Sequence, residues 1–189
     1  MLTDEELVEE IRRGTQSSME LLIQRHYPMI FAYLYRMTGE YHSACDLTQD
    51  TFVKMVRYLP NYRGEGKFRS WLLCIGVNTA RDYFRSTVYS NYSKSGEIED
   101  TIPSNDKSPL ELVSYRMESE EVKKTVLRLP DYQKEAIILR YYHDCSIKEI
   151  AELTNAGESA VKSRLYQGVQ KLKKWLGKEH NDEQISKNV

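Results

Sequence analysis

Apolar residues recur at helical spacing along nearly the whole chain, with one polar break. Thr3 and Glu6 form a predicted capping box ahead of Leu7, Val8 and Ile11, with Gly14 as the stop. Ser17 and Glu20 repeat the device before Leu21, Leu22 and His26, and Pro28 is expected to perturb the chain near Tyr27. Ile30, Leu34 and Met37 resume the period, closed by Gly39. A helix over about 43–59 has Leu47, Thr51, Met55 and Leu59 as its apolar edge, with Phe52 and Val56 beside them. Asp46, Gln49, Asp50, Lys54 and Arg57 fall on its other side, so one face is predicted to be buried and one free. Pro60, Asn61, Gly64 and Gly66 exclude a regular helix between Leu59 and Lys67. Another helix follows over about 70–85, with Leu72, Ile75, Val77 and Tyr83 available for packing. Arg81 and Arg85 share one of its faces, with Asn78 nearby.

Residues 88–115 are different in kind: polar, rich in Ser and Asn, and punctuated by Pro103 and Pro109. They read as a linker between two small helical domains, over residues 1–87 and 116–178, with a frayed tail over 179–189. Fully extended, such a linker reaches on the order of 90 Å. After a helix over about 110–129, Leu129-Pro130-Asp131 caps a helix from Tyr132 to Tyr142. His143 to Ser146 form a turn, and Ser146 with Glu149 makes a further capping box for a short helix, Ile147 to Leu153. Thr154 to Gly157 turn the chain into a final helix over about 158–176. The fold class is therefore all-α, in two modules.

The second module has helix-turn-helix spacing. Ile150, Ala151, Val161 and Leu165 supply a small core between its two helices, and Asn155 suits a left-handed turn position. Val161, Leu165, Val169, Leu172 and Leu176 continue the buried stripe. The opposite surface offers Ser159, Lys162, Ser163, Tyr166 and Gln167, a row that fits a DNA major groove, where Lys and Gln can hydrogen-bond base edges. Arg164, Lys171, Lys173 and Lys174 could meet phosphates.

Composition sharpens this picture at one place. Lys+Arg is 27 and Asp+Glu is 28, a net charge of -1, which says little about nucleic acid. The distribution says more: Lys162 to Lys178 carries six positive charges and no carboxylate. In the first module Tyr58, Tyr62, Phe68, Trp71, Tyr83 and Phe84 alternate with Arg63, Lys67, Arg69, Arg81 and Arg85. Flat rings among cations suit single-stranded nucleic acid, because bases stack while cations follow the backbone. Tyr62 and Arg63, inside the Gly/Pro loop, are the stronger candidates; Phe68, Trp71 and Phe84 are also natural core residues. Asp46 and Asp50 would repel phosphate, so their face is either simply solvated or meets a protein partner.

At this level the chain resembles a known family. Asp46-Leu47-Thr48-Gln49-Asp50-Thr51-Phe52, Phe68 through Arg85, and Leu129-Pro130 through Leu176 follow in order the signature segments of bacterial sigma factors. The short stretch between the modules leaves no room for another folded domain, which resembles the extracytoplasmic-function (ECF) type, group IV of the sigma-70 family. The resemblance implies that Asp46, Gln49, Asp50 and Lys54 bind core RNA polymerase at the β′ clamp helices, with further contacts to the β subunit. It implies that Tyr62, Arg63, Phe68, Trp71, Asn78, Arg81 and Arg85 engage the melted −10 element. It also implies that Ser159, Lys162, Ser163, Arg164, Tyr166 and Gln167 contact the −35 element, and that an anti-sigma factor is a partner. Asp144 stands where the family usually has Gly, and Gln167 where many relatives have Arg.

A stand-alone helix-turn-helix regulator is the rival reading; it leaves the aromatic loop and the acidic helix face without a purpose. An enzyme is not expected. His26, His42, His143 and His180 are scattered, and neither a phosphate-binding loop nor a nucleophile motif occurs. Cys45, Cys74 and Cys145 are far apart without CxxC spacing, so neither a metal site nor a disulfide framework is signalled. No cofactor is expected. No apolar run approaches a bilayer span and the N-terminus lacks a signal-peptide pattern. The expected setting is the cytoplasm, with no direct membrane insertion.

Overall fold

The computed structural model describes residues 2–64, 66–86 and 120–186, with side chains to residue 177. The expected linker and the first part of the expected helix over 110–129 lie outside the described residues. The chain divides into two compact units, one of residues 1–34 and 45–115, the other of residues 35–44 and 116–189. Every regular element among the described residues is helical.

The first four helices are α1 (Asp4–Arg12), α2 (Gln16–Thr38), α3 (Tyr41–Tyr58) and α4 (Phe68–Arg85). Thr3 caps α1 as the sequence predicts: its hydroxyl accepts from the Glu6 amide, and the Glu6 carboxylate accepts from the Thr3 amide at 2.7 Å. Those hydrogen bonds hold the Glu6 carboxyl below its ordinary range. Leu7 and Val8 pin α1 to the core.

Pro28 does not break the chain; it lies inside a continuous α2. A proline there gives up one backbone hydrogen bond, at about 3 kcal/mol. Leu22, Ile30, Phe31, Tyr33, Leu34 and Met37 are buried along the same helix, and each such side chain contributes about 1.5–3 kcal/mol. Burial therefore outweighs the local penalty.

On α3, Leu47, Thr48, Thr51, Phe52 and Met55 face inward, and the Thr51 hydroxyl satisfies itself on the Leu47 carbonyl at 2.7 Å. Val56 departs from expectation: it is exposed rather than part of the apolar edge. A short 3-10 turn (Leu59–Asn61) ends the helix, and α4 buries Phe68, Leu72, Leu73, Val77 and Ala80.

The second unit contains α5 (Glu120–Leu127), α6 (Asp131–Tyr141), α7 (Ile147–Thr154) and α8 (Glu158–Ser186). α8 packs on α5, α6 and α7, and α6 packs on α7. The Ser146–Glu149 capping box is present, and Asn155 caps α7 in the left-handed conformation at φ 48°. Asp144 also takes a left-handed φ of 55°, which gives a physical reason for glycine at this turn. Ile150 and Val161 are buried at the α7–α8 contact, with Ala151 and Leu165 half-buried beside them. α8 runs through Ser186, past the predicted end near Leu176, so the expected frayed tail is helical over most of its length. α6 and α8 approach tightly at Gly168, where an added Cβ would lie 3.0 Å from Ile137 Cγ1.

Candidate nucleic-acid interfaces and a protein-docking face

Three surfaces carry the residues singled out in the sequence. The first is the outer face of α3. Asp46, Gln49 and Asp50 are exposed there, one turn before Val53 and Val56, which are 61% and 46% exposed. Positions 46, 49, 50, 53, 56 and 57 follow helical spacing, so acids, an amide and two valines share one ridge. An exposed apolar centre rimmed by polar groups is the composition of a protein contact. Lys54 does not share this freedom. Its Nζ donates to Thr79 Oγ1 at 3.1 Å and lies 3.5 Å from Asp82 Oδ2, tying α3 to α4.

The second surface is the loop before α4 and the stripe along it. Asn61, Tyr62, Arg63, Gly64, Lys67 and Trp71 line a pocket of about 260 Å³. Gly64 and Gly66 adopt φ of 66° and 69°, the left-handed region that glycine enters without a Cβ clash. Tyr62 is buried, unlike the open loop side chain the sequence suggests. Its ring lies 4.8 Å from Trp71 and 5.5 Å from Phe68, between ring centroids. Burial, and then the nearby Glu5 carboxylate, push the Tyr62 phenol above its ordinary pKa.

Phe68 is 1% exposed and sits behind these rings, so it shapes the pocket without opening onto it. Trp71 is half-buried; Arg63 and Lys67 are exposed at the rim. From Trp71 the same face of α4 continues through Cys74, Asn78, Arg81 and Arg85, at steps of three and four residues. Fourteen residues of rise make this a track about 21 Å long. Asn78 Nδ2 points toward Cys74 Sγ at 3.7 Å, and burial raises the Cys74 thiol pKa. The pocket and this stripe share Trp71, from which Asn78, Arg81 and Arg85 follow along α4.

The third surface is the first half of α8. Ser159, Lys162 and Tyr166 are exposed, Tyr166 at 68%. Gln167 and Ser163 are exposed as well, but they are engaged. Gln133 Nε2 donates to Gln167 Oε1 at 2.9 Å, and Gln167 Nε2 donates to Ser163 Oγ at 3.1 Å. Arg164 leans over the Tyr132 ring at 5.9 Å. The predicted row is thus divided into freely presented groups and groups held in place by α6. Sequence reasoning did not find Gln133 and Gly168, because spacing within one helix carries no sign of what the neighbouring helix places beneath it.

Among the described residues no group of three or more His, Cys, Asp or Glu could hold a metal ion, and no helix is long and apolar enough to cross a membrane.

Comparison with known proteins gives these surfaces a context. Residues 22–88 match the family model for sigma-70 region 2, and residues 119–172 match that for sigma-70 region 4. The chain is 31% identical over 170 residues to the RNA polymerase sigma factor YlaC of Bacillus subtilis, covering 90% of this chain and 98% of that protein. It is 30% identical over 174 residues to the ECF RNA polymerase sigma-E factor of Salmonella typhimurium, covering 87% and 90%. Two solved structures share the fold. One is the sigma factor RpoE in complex with the anti-sigma factor NepR from Bartonella quintana, with TM-score 0.66 and 20% identity over 84% of this chain and 96% of that one. The other is CnrH in complex with the cytosolic domain of CnrY, with TM-score 0.63 and 24% identity over 92% and 97%. With both of its modules matched in order and relatives aligned over nearly their full length, the chain belongs to the RNA polymerase sigma factors, in the ECF branch.

Proposed function

We propose that this sigma factor divides its work among the three surfaces, and that the pocket at Tyr62–Trp71 is where promoter opening is captured. The observation that carries this reading is the union of a base-sized pocket, walled by aromatic rings, with a cationic stripe leading away along α4. Unstacking a base costs a few kcal/mol, and stacking on an aromatic wall returns about 1–3 kcal/mol per base. A pocket that holds one flipped base, with Arg63 and Lys67 beside it and Asn78, Arg81 and Arg85 along the strand, offsets the cost of melting.

The ridge Asp46, Gln49, Asp50, Val53 and Val56 docks on core polymerase, and Lys54 acts by bracing α3 against α4. Ser159, Lys162 and Tyr166 enter the −35 major groove, with Ser163 and Gln167 set by Gln133 and Arg164 set by Tyr132. Residues 1–87 and 116–178 serve as the −10 and −35 modules. The sigma factor performs no chemistry of its own in this scheme; nucleotide addition belongs to the polymerase. Control by an anti-sigma factor is part of the proposal, supported by the fold shared with sigma factors solved in such complexes. The protein acts in the cytoplasm.

The test uses holoenzyme reconstituted with core polymerase and single-stranded −10 oligonucleotides carrying 2-aminopurine at each position in turn. One position is expected to change fluorescence on binding as its base leaves the stack. Arg63→Ala and Lys67→Ala together are expected to weaken oligonucleotide binding about tenfold or more, as loss of two backbone cations requires. Unchanged binding by this double variant contradicts the assignment of the pocket.

A further inference from the structure

The described residues of the pocket loop, 62–64, 66 and 67, belong to no helix, yet one wall of the pocket is held firmly from outside. The Arg12 guanidinium donates through Nη2 to the Tyr62 carbonyl. The Tyr62 hydroxyl donates to Glu5 Oε1 at 3.4 Å. Both partners lie on α1, fifty and more residues earlier in the chain. Glu5, Val8 and Arg12 are three and four residues apart, so they share one face of α1. Val8 is buried between the two polar groups, which bolts that face to the core.

The helix is itself fixed at its start. The Thr3–Glu6 box sets its first turn. Asp4 accepts from Arg25 Nη1 at 2.6 Å and from the His26 Nε2–H at 2.9 Å. The His26 ring then lies 5.2 Å from Phe68, which in turn lies 5.5 Å from Tyr62, between centroids. Tyr62 is therefore gripped at its carbonyl by Arg12, at its hydroxyl by Glu5, and behind its ring through Phe68, His26 and Asp4.

We propose that α1 is a positioning element for the base pocket: Glu5 and Arg12 set the placement of the Tyr62 ring, and through it which base the pocket prefers. The proposal rests on the reading of that pocket as a base site. The physical ground is that discrimination between bases requires walls held to within about 0.5 Å, and the two glycines in this loop cannot supply that stiffness. Arg12 and Glu5 do not line the pocket. Their effect is therefore on selectivity and not on the cations that follow the backbone. Losing α1's grip lets the ring shift while Arg63, Lys67 and Trp71 remain.

The experiment measures holoenzyme affinity for single-stranded −10 oligonucleotides bearing each of the four bases at the position that reports flipping. Its readout is the ratio of affinities between the preferred base and the next. Arg12→Ala and Glu5→Ala are each expected to compress that ratio about threefold to tenfold, the scale of one hydrogen bond lost from a positioned group. Affinity for core polymerase should stay within about twofold, since no α1 contact is lost from the α3 ridge. A merely structural role is separated by Tyr62→Phe. In that background Glu5→Ala should add nothing to the change in ratio, because the hydroxyl through which it acts is gone. Full additivity of the two substitutions, or an unchanged ratio in both alanine variants, overturns the proposal. The Arg63→Ala/Lys67→Ala variant runs alongside. If it too leaves binding unchanged, the pocket reading fails; if it weakens binding while the α1 variants keep the ratio, only the role of α1 fails.

Discussion

Val53→Asn tests the α3 ridge at its apolar centre. Val53 has 61% of its surface in water, so the substitution removes little from the folded core. Valine and asparagine also have similar helix propensities, and α3 should keep its stability to within about 0.5 kcal/mol. In the complex the situation reverses. Covering the exposed part of a valine side chain is worth about 1 kcal/mol by area. An asparagine amide buried there without partners costs a further 1–3 kcal/mol or so. The sum, about 2–4 kcal/mol, corresponds to roughly 30-fold or more in affinity. The assay is an equilibrium titration of fluorescently labelled sigma factor with core polymerase, with thermal melting of the free variant as the control. An affinity within about threefold of the parent, in a variant that melts normally, refutes the claim that this ridge is buried against the polymerase.

Three other outcomes follow from particular contacts. His26 is buried and its pKa lies below the ordinary 6.5, because burial penalises the imidazolium more than Asp4 favours it. The unfolded chain then binds the proton more readily, so stability is lost as pH falls through about 6.5 toward the lowered folded value. Thermal melts between pH 8 and pH 5 should show that loss, and His26→Gln should flatten it. Gly168→Leu forces a side chain against Ile137 where even a Cβ lies at 3.0 Å, and it should destabilise the second unit by about 1–3 kcal/mol in denaturant melts. Lys162→Ala should weaken −35 duplex binding by holoenzyme about tenfold, whereas Lys124→Ala, an exposed side chain on α5, should change it by less than about twofold; equal effects would remove the groove assignment.

Local signals were legible in the sequence where a residue acts on its own helix. Thr3 with Glu6 and Ser146 with Glu149 mark helix starts because the capping chemistry involves neighbours three residues apart. Asn155 marks the turn because its own backbone bears the left-handed strain. The polar row Asp46, Gln49 and Asp50 is exposed as its spacing implied. What escaped was decided by partners distant in sequence. Pro28 was expected to perturb α2, but the burial of Ile30, Phe31 and Leu34 carries the helix through it. Val56 reads as a neighbour of the apolar edge but is exposed, whereas Thr48, outside that predicted edge, is buried beside the expected Thr51. Tyr62 looked like an open loop ring until Glu5, Arg12 and Phe68 closed around it. Gln167 looked free until Gln133 was found beneath it.

As a sigma factor, this protein should let RNA polymerase open promoters that the core enzyme leaves closed. Permanganate reactivity of unpaired thymines, mapped on promoter DNA with core polymerase alone and with the reconstituted holoenzyme, measures this directly. A reactive bubble at the −10 region that appears only with the sigma factor, and shrinks with the Arg63→Ala/Lys67→Ala variant, is the predicted result. Identical reactivity with and without the protein, across genomic promoter fragments, contradicts it.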